Sequence, residues 1–276
     1  MTARWVAALA AATVLAAPGA APAATVEISG STTALPLVAD LAWFYRHDVK
    51  RPGRFVLVGG GSGAGVADAA RGIVDVGLAS RPRAPTDPPG LAFTPFAASG
   101  ICLVTNAANR VPGLTHAQLQ DLVAARATAW SQIAGSTRAD AIAAAALAEG
   151  TGARSVFLST FVATETPVAY TARAFVTAAQ VRDYVRATPA AWGYVDVAFT
   201  SGLHVVPFEG VACSRATIAS GAYTGRRDLS FVTPGAPSAA AARFIRWVRT
   251  SRVARRVIAT RYVPLGRPRA RARRPG

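Results

Sequence analysis

The chain has 276 residues, 51% hydrophobic and 16% charged, which is enough apolar material for a sizeable core and argues against global disorder. Thirty basic residues oppose fourteen acidic ones, a formal charge of +16 that favours anionic ligands or surfaces. The bases in the body of the chain are scattered without interleaved aromatics, so no nucleic-acid platform is expected. His47, His116 and His204 lie too far apart for metal-ligand spacing.

Residues 1–23 read as an export signal, with Arg4 as the basic start, Val6 to Ala17 as the apolar run and Ala21-Pro22-Ala23 as the cleavage site. That run is too short to span a bilayer, and no Cys follows it to suggest a lipid anchor. The expectation is an exported, periplasmic or secreted protein that is not membrane-embedded. Beyond the signal, strand-like and helix-like stretches alternate, which predicts an α/β fold. Thr25 to Ile28 reads as a strand. Leu37, Val38, Leu41, Phe44 and Tyr45 give Pro36 to Tyr45 a helical period. Arg54 to Val58 is a second strand, Val66 to Arg71 a short helix, and Val74 to Leu78 a third strand. Phe93 to Thr105 is an extended run long enough to cross between domains.

Thr115 caps a helix containing Leu119, Leu122 and Val123. The alanine-rich Ile142 to Leu147 stretch leaves helix and strand open. Thr151 opens a helix through Val156, Phe157, Phe161 and Val162, Ala178 to Val185 is another, and Trp192 to Val195 is a strand. Val205 to Val211 reads as extended, and Ser238 to Ala259 as one long amphipathic helix. The tail from 266 to 276 carries five arginines and no acid, and is expected to be disordered. Cys102 and Cys213 read either as buried thiols or as a disulfide, and both alternatives stay open.

Three segments are written like helix starts: Gly30-Ser31-Thr32-Thr33-Ala34, Gly59-Gly60-Gly61-Ser62-Gly63 and Gly150-Thr151-Gly152-Ala153-Arg154. A helix start has N–H groups without intrahelical partners and carries partial positive charge. Glycine admits a ligand close to the backbone and a hydroxyl adds a donor. Brought together, these ends would hold a small oxyanion. Arg154 stands in the first turn of its helix, where a cation opposes the dipole, and this also suggests an anion nearby.

The order of these motifs, with Asp75-Val76-Gly77-Leu78-Ala79-Ser80-Arg81, Trp192-Gly193-Tyr194, Gly221-Ala222-Tyr223…Arg227 and Arg261-Tyr262-Val263-Pro264, resembles the phosphate-binding, substrate-binding proteins of ABC transporters. The resemblance implies a type 2 periplasmic-binding fold of two α/β lobes joined by two crossing strands, with a cleft between them. The expected division is 24–95 with 200–265 in one lobe and 96–199 in the other. It also implies a monomer that delivers phosphate or a related oxyanion to an inner-membrane ABC permease, with no cofactor and no enzymatic activity. Carried over by position, the ligand-binding residues are Ser31, Thr32, Thr33, Ala34, Ser62, Ser80, Arg81, Thr151, Gly152, Ala153 and Arg154.

Three positions bear on the pattern that the resemblance implies. Ser80 stands where many members carry an acidic residue or a serine, and only the carboxylate can accept the proton of hydrogen phosphate while rejecting sulfate by charge; Leu147 stands where many carry an arginine. Leu147, together with Ala153 where a threonine is usual, motivates the alternative of a paralogue that keeps the fold but binds anions weakly or not at all. A hydrolase is not expected, because Gly61-Ser62-Gly63 falls short of a nucleophile elbow and no histidine lies in a catalytic-looking loop.

Overall fold

The computed structural model describes residues 24–50, 52–162 and 172–265; the expected export signal and arginine tail lie outside them. In chain order the elements are β1 (Thr25–Gly30), α1 (Leu35–Asp48), β2 (Arg54–Gly59), α2 (Gly61–Ala70), β3 (Val76–Ala79), β4 (Leu91–Asn106), α3 (His116–Val123), β5 (Ala143–Leu147), α4 (Gly152–Phe161), β6 (Arg173–Phe175), α5 (Ala178–Ala187), β7 (Ala191–Asp196), β8 (Leu203–Val206), α6 (Arg215–Ser220), β9 (Arg226–Pro234), α7 (Ala239–Thr250), α8 (Arg252–Ala259) and β10 (Val263–Pro264). The strands join in the order β2-β1-β3-β9-β4-β7-β5-β6, with β8 and β10 also pairing with β4.

β4 organises the molecule. Residues 91–100 pair antiparallel with β9, and from Ile101 onward the strand pairs with β7 and β8. On one side of this changeover, Val26, Ile28, Leu37, Leu41, Leu78, Phe231 and Phe244 form a core. On the other, Trp130, Phe157, Phe161, Val181, Tyr194 and Phe208 form a second. The sequence assigns residues 200–265 to the first lobe, yet Val206, Phe208, Cys213, Ile218 and Tyr223 pack in the second core. After β8 the chain returns to the first core at β9.

Local signals account for most element boundaries. Thr115 accepts from the Gln118 amide while the Gln118 side chain accepts from the Thr115 amide, a reciprocal cap at the start of α3. The ambiguous alanine run is β5, held by parallel pairing to both β6 and β7. The single helix expected from 238 to 259 is two helices. Ser251 leaves the helix with φ −72° and ψ 137°, and its hydroxyl accepts from the amides of Val253 and Ala254, capping α8. Cys102 on β4 and Cys213 ahead of α6 form a disulfide with a Cα separation of 5.5 Å, which resolves the open alternative. Phe44, expected on the inward stripe of α1, is 38% exposed beside Trp43 at 55%. Among the described residues, no helix is long and apolar enough to cross a membrane.

Candidate functional site

The three glycine-rich turns meet where the two cores face each other. After β1, Ser31 turns the chain into α1; its amide donates to the Leu78 carbonyl and its Oγ accepts from the Ala34 amide. After β2, α2 begins at Gly61 rather than at Val66 as expected, so the glycine cluster is itself the first helical turn. Ser62 is fully buried there. Its Oγ accepts from the Ser80 amide at 3.0 Å and lies 3.3 Å from the Ser80 Oγ at the end of β3.

The start of α4 approaches from the opposite side. The Gly63 amide donates to the Gly150 carbonyl at 3.4 Å. A Cβ on Gly152 would lie 2.3 Å from the Ser62 Oγ and 2.8 Å from the Ser80 Oγ, so glycine is what lets the two hydroxyls meet the start of α4. The first-turn amides of α4, at Gly152 and Ala153, have no acceptor within their own helix. Replacing Gly152 by Ala is therefore expected to push the turns apart and weaken oxyanion binding about a hundredfold, a loss of roughly 2.7 kcal/mol. Isothermal titration of the variant against phosphate checks this, and unchanged affinity would show that the hydroxyls do not meet there.

Beneath these hydroxyls lies a residue absent from the expected ligand set. Arg227, at the start of β9, is 3% exposed. Its NH1 donates to the Ser80 carbonyl at 2.7 Å and to the Ser80 Oγ at 3.1 Å; its NH2 donates to the Thr33 Oγ1 at 3.3 Å and to Asp196 at 2.8 Å. Asp196 ends β7 and is fully buried; it also accepts from the Ser99 hydroxyl and the Ala198 amide. The Tyr262 hydroxyl donates to the Thr33 carbonyl, and burial holds its pKa well above the usual tyrosine value, so the ring stays neutral.

This network fixes the polarity of the site. A hydroxyl has one proton to give. The oxygens of Ser31, Thr33, Ser62 and Ser80 each accept from a backbone amide or from Arg227; one proton of the Ser62–Ser80 pair is shared between their hydroxyls, which leaves the other and those of Ser31 and Thr33 for a ligand. The Asp196 carboxylate is spent on Arg227, Ser99 and Ala198. The arrangement offers donors.

The other expected ligands are placed differently. Thr32 is half-buried in the same turn, and Ala34 and Ala153 are buried. The Thr151 hydroxyl donates to the Ala148 carbonyl at 2.9 Å and accepts from the Arg154 amide, so its proton goes to the cap and not to the cluster. Arg154 turns back to the Leu147 carbonyl at 3.2 Å and to Glu149 at 3.7 Å. Arg81 grips Asp87 with two bonds of 2.7 and 2.6 Å, which holds that carboxyl below its usual pKa and ties Arg81 to its own loop. Thus Ser31, Thr33, Ser62, Ser80 and Gly152 converge, while the side chains of Arg81 and Arg154 are engaged elsewhere. Arg227 was visible in the sequence as part of a motif, but nothing near it in the chain announces Asp196 or Ser80 as its partners.

Comparison with known proteins bears on the fold and the family. A Clostridium perfringens ABC transporter substrate-binding protein assigned to phosphate, solved with phosphate bound, superposes with a TM-score of 0.81 at 22% identity, covering 88% of this chain and all of that one. An ABC-type phosphate transport receptor from Vibrio cholerae gives a TM-score of 0.72 at 23% identity, covering 87% of this chain and all of that one. These likenesses establish the two-lobe type 2 periplasmic-binding fold. The phosphate-binding protein PstS 2 of Streptococcus agalactiae is 30% identical over 109 residues, 39% of this chain and 37% of that relative's length. The model of the PBP superfamily domain matches residues 15–252, and the chain belongs to that superfamily.

Proposed function

We propose that this protein is an exported solute-binding protein that captures phosphate or a related tetrahedral oxyanion between its two lobes and hands it to an ABC permease. The reading is carried by the meeting of Ser31, Thr33, Ser62, Ser80 and Gly152, from four separate segments, above the buried Arg227. The printed descriptions of the similar proteins support phosphate as the ligand class. The disulfide fits an oxidising, extracytoplasmic compartment.

Binding rather than catalysis is the better account of the hydroxyls. A serine nucleophile needs a base in hydrogen-bond reach. His47 bonds the Trp43 carbonyl, His116 meets Gln120, and His204 bonds the Val111 carbonyl.

The donor character of the site bears on selectivity. An anion that arrives with its own proton needs an acceptor, and the carboxylate in the network is already occupied. Titration with phosphate, sulfate and molybdate tests the reading. The expected result is stoichiometric binding of phosphate, with sulfate competing within about tenfold, a difference of roughly 1.4 kcal/mol. Absence of heat with all three at millimolar ligand would overturn it and leave the fold-retaining, weakly binding paralogue.

A further inference from the structure

The positive charge of this chain is segregated. The last 48 residues contain twelve arginines and no acid, whereas the preceding 228 hold eighteen bases against fourteen acids. The described part of that segment is the end of β9 followed by α7, α8 and β10. Arg243, Arg246, Arg252, Arg255, Arg256 and Arg261 are exposed there, and Arg249 is partly so. Among the described residues, only Arg261 of these seven has an acidic partner, Asp40 at 2.9 Å. Six like charges on two consecutive short helices repel one another, and an anionic counterpart relieves that repulsion.

The same face is apolar where it meets α1. Phe44, Val253 and Val257 line a groove of about 480 Å³ together with Arg256, Thr260, Arg261 and Asp40. Trp43 stands next to it, edge-on to Phe44 with ring centroids 4.8 Å apart and 4.1 Å from the His47 ring. Arg46 is exposed on the same helix. Large aromatics left in water beside arginines, over a short amphipathic helix, are the composition of a surface that rests in the headgroup layer of a bilayer.

We propose that the α1–α8 face, with the arginines of α7, docks on an anionic phospholipid surface. Arginines meet the phosphates while Trp43 and Phe44 enter the interface. Two observations favour a bilayer over other polyanions. The Trp43 and Phe44 rings are 83° apart, which offers no flat platform for stacked bases. The charge is spread along two outward helix faces rather than gathered into a pocket, matching a diffuse field of headgroups.

The test is co-sedimentation of the purified protein with vesicles of phosphatidylcholine alone or mixed with phosphatidylglycerol, at low and high salt. Binding is expected only to the mixed vesicles and only at low salt. In protein lacking residues 1–23, and with them Trp5, Trp130 is fully buried and Trp192 and Trp247 nearly so, and bilayer contact should appear as a blue shift and reduced quenching of Trp43 emission. Reversing three exposed charges, Arg252→Glu with Arg255→Glu and Arg256→Glu, should weaken vesicle binding about a hundredfold, from roughly a kcal/mol per charge near the surface. The cleft's oxyanion titration should stay unchanged in that variant, which confirms its folding. Equal binding to both vesicle types would overturn the proposal. So would binding that survives the triple reversal and disappears on removing residues 266–276, since the tail and not the folded face would then be the anchor. Retention of the triple variant on nucleic acid but of neither form on vesicles would overturn it as well.

Discussion

Arg227→Met is expected to destabilise the protein by about 3–5 kcal/mol, because it strands the Asp196 carboxylate in the core without its cation. Asp196 is fully buried and its Oδ2 takes both the Arg227 NH2 and the Ser99 hydroxyl, so water cannot easily replace the lost charge. The loss should be asymmetric. Pairing Arg227→Met with Asp196→Leu removes both charges and should recover most of the stability, as buried ion pairs replaced by apolar residues generally allow. Oxyanion binding should not recover, because Ser80 and Thr33 lose the donor that turns their protons outward. Urea denaturation separates the single from the double variant, and phosphate titration of the double variant reads the second effect. If the double variant binds phosphate as the parent does, Arg227 is a folding residue and the polarity argument fails.

Removing the disulfide by Cys102→Ala with Cys213→Ala is expected to cost about 4–5 kcal/mol. The bond joins residues 111 apart, and the constraint it places on the unfolded chain grows with the length of the closed loop. For a chain of this size the corresponding drop in Tm is on the order of 10–20 °C. Both sulfurs lie in the second core, so the deletion also leaves small voids there, and these act in the same direction. Thermal melts with and without reductant provide the check. A reductant-insensitive melting temperature would show that the bridge contributes little.

How much of this could be read from the sequence follows from how local each signal is. The starts of α3 and α4 were legible because Thr115 with Gln118, and Thr151 with Arg154, cap within one turn. The start of α2 was not, because three glycines read as a loop, although Gly61 at φ +87° opens a helix against the Gly150 carbonyl. The strand β9 escaped notice because Arg226-Arg227-Asp228 looks like a solvated turn. Only tertiary structure shows that the middle residue is buried against Asp196 and that Arg226 pairs with Asp228. The site divides in the same way. Hydroxyls beside glycine-rich helix starts announce themselves, whereas the guanidinium that orients them comes from 147 residues beyond Ser80. For the charged side chains nearest the motifs the sequence does not show the local partners: Arg81 and Arg154 bond nearby carboxylates and carbonyls. Phe44 obeyed the helical period but fell at the margin of the apolar stripe, where α8 leaves it uncovered.

The changeover in β4 has a mechanical corollary. Among the described residues, β4 and β9 carry hydrogen-bonded backbone from one core toward the other, and they run side by side, with the Ile101 amide bonded to the Gly225 carbonyl at the switch. Gly100 lies against the Ile218 side chain and Gly225 against the Phe161 ring, each so near that even a methyl group would collide. A change of angle between the halves must be absorbed by twisting this two-stranded ribbon about a handful of peptides. The ribbon is wedged from one side by Ile218 and Phe161 and tethered by the Ser99 hydroxyl to Asp196, the same carboxylate that holds Arg227. The carboxylate that holds Arg227 is therefore also a fastening of the ribbon, so one buried charge bonds both the guanidinium under the hydroxyls and the strand that joins the two cores.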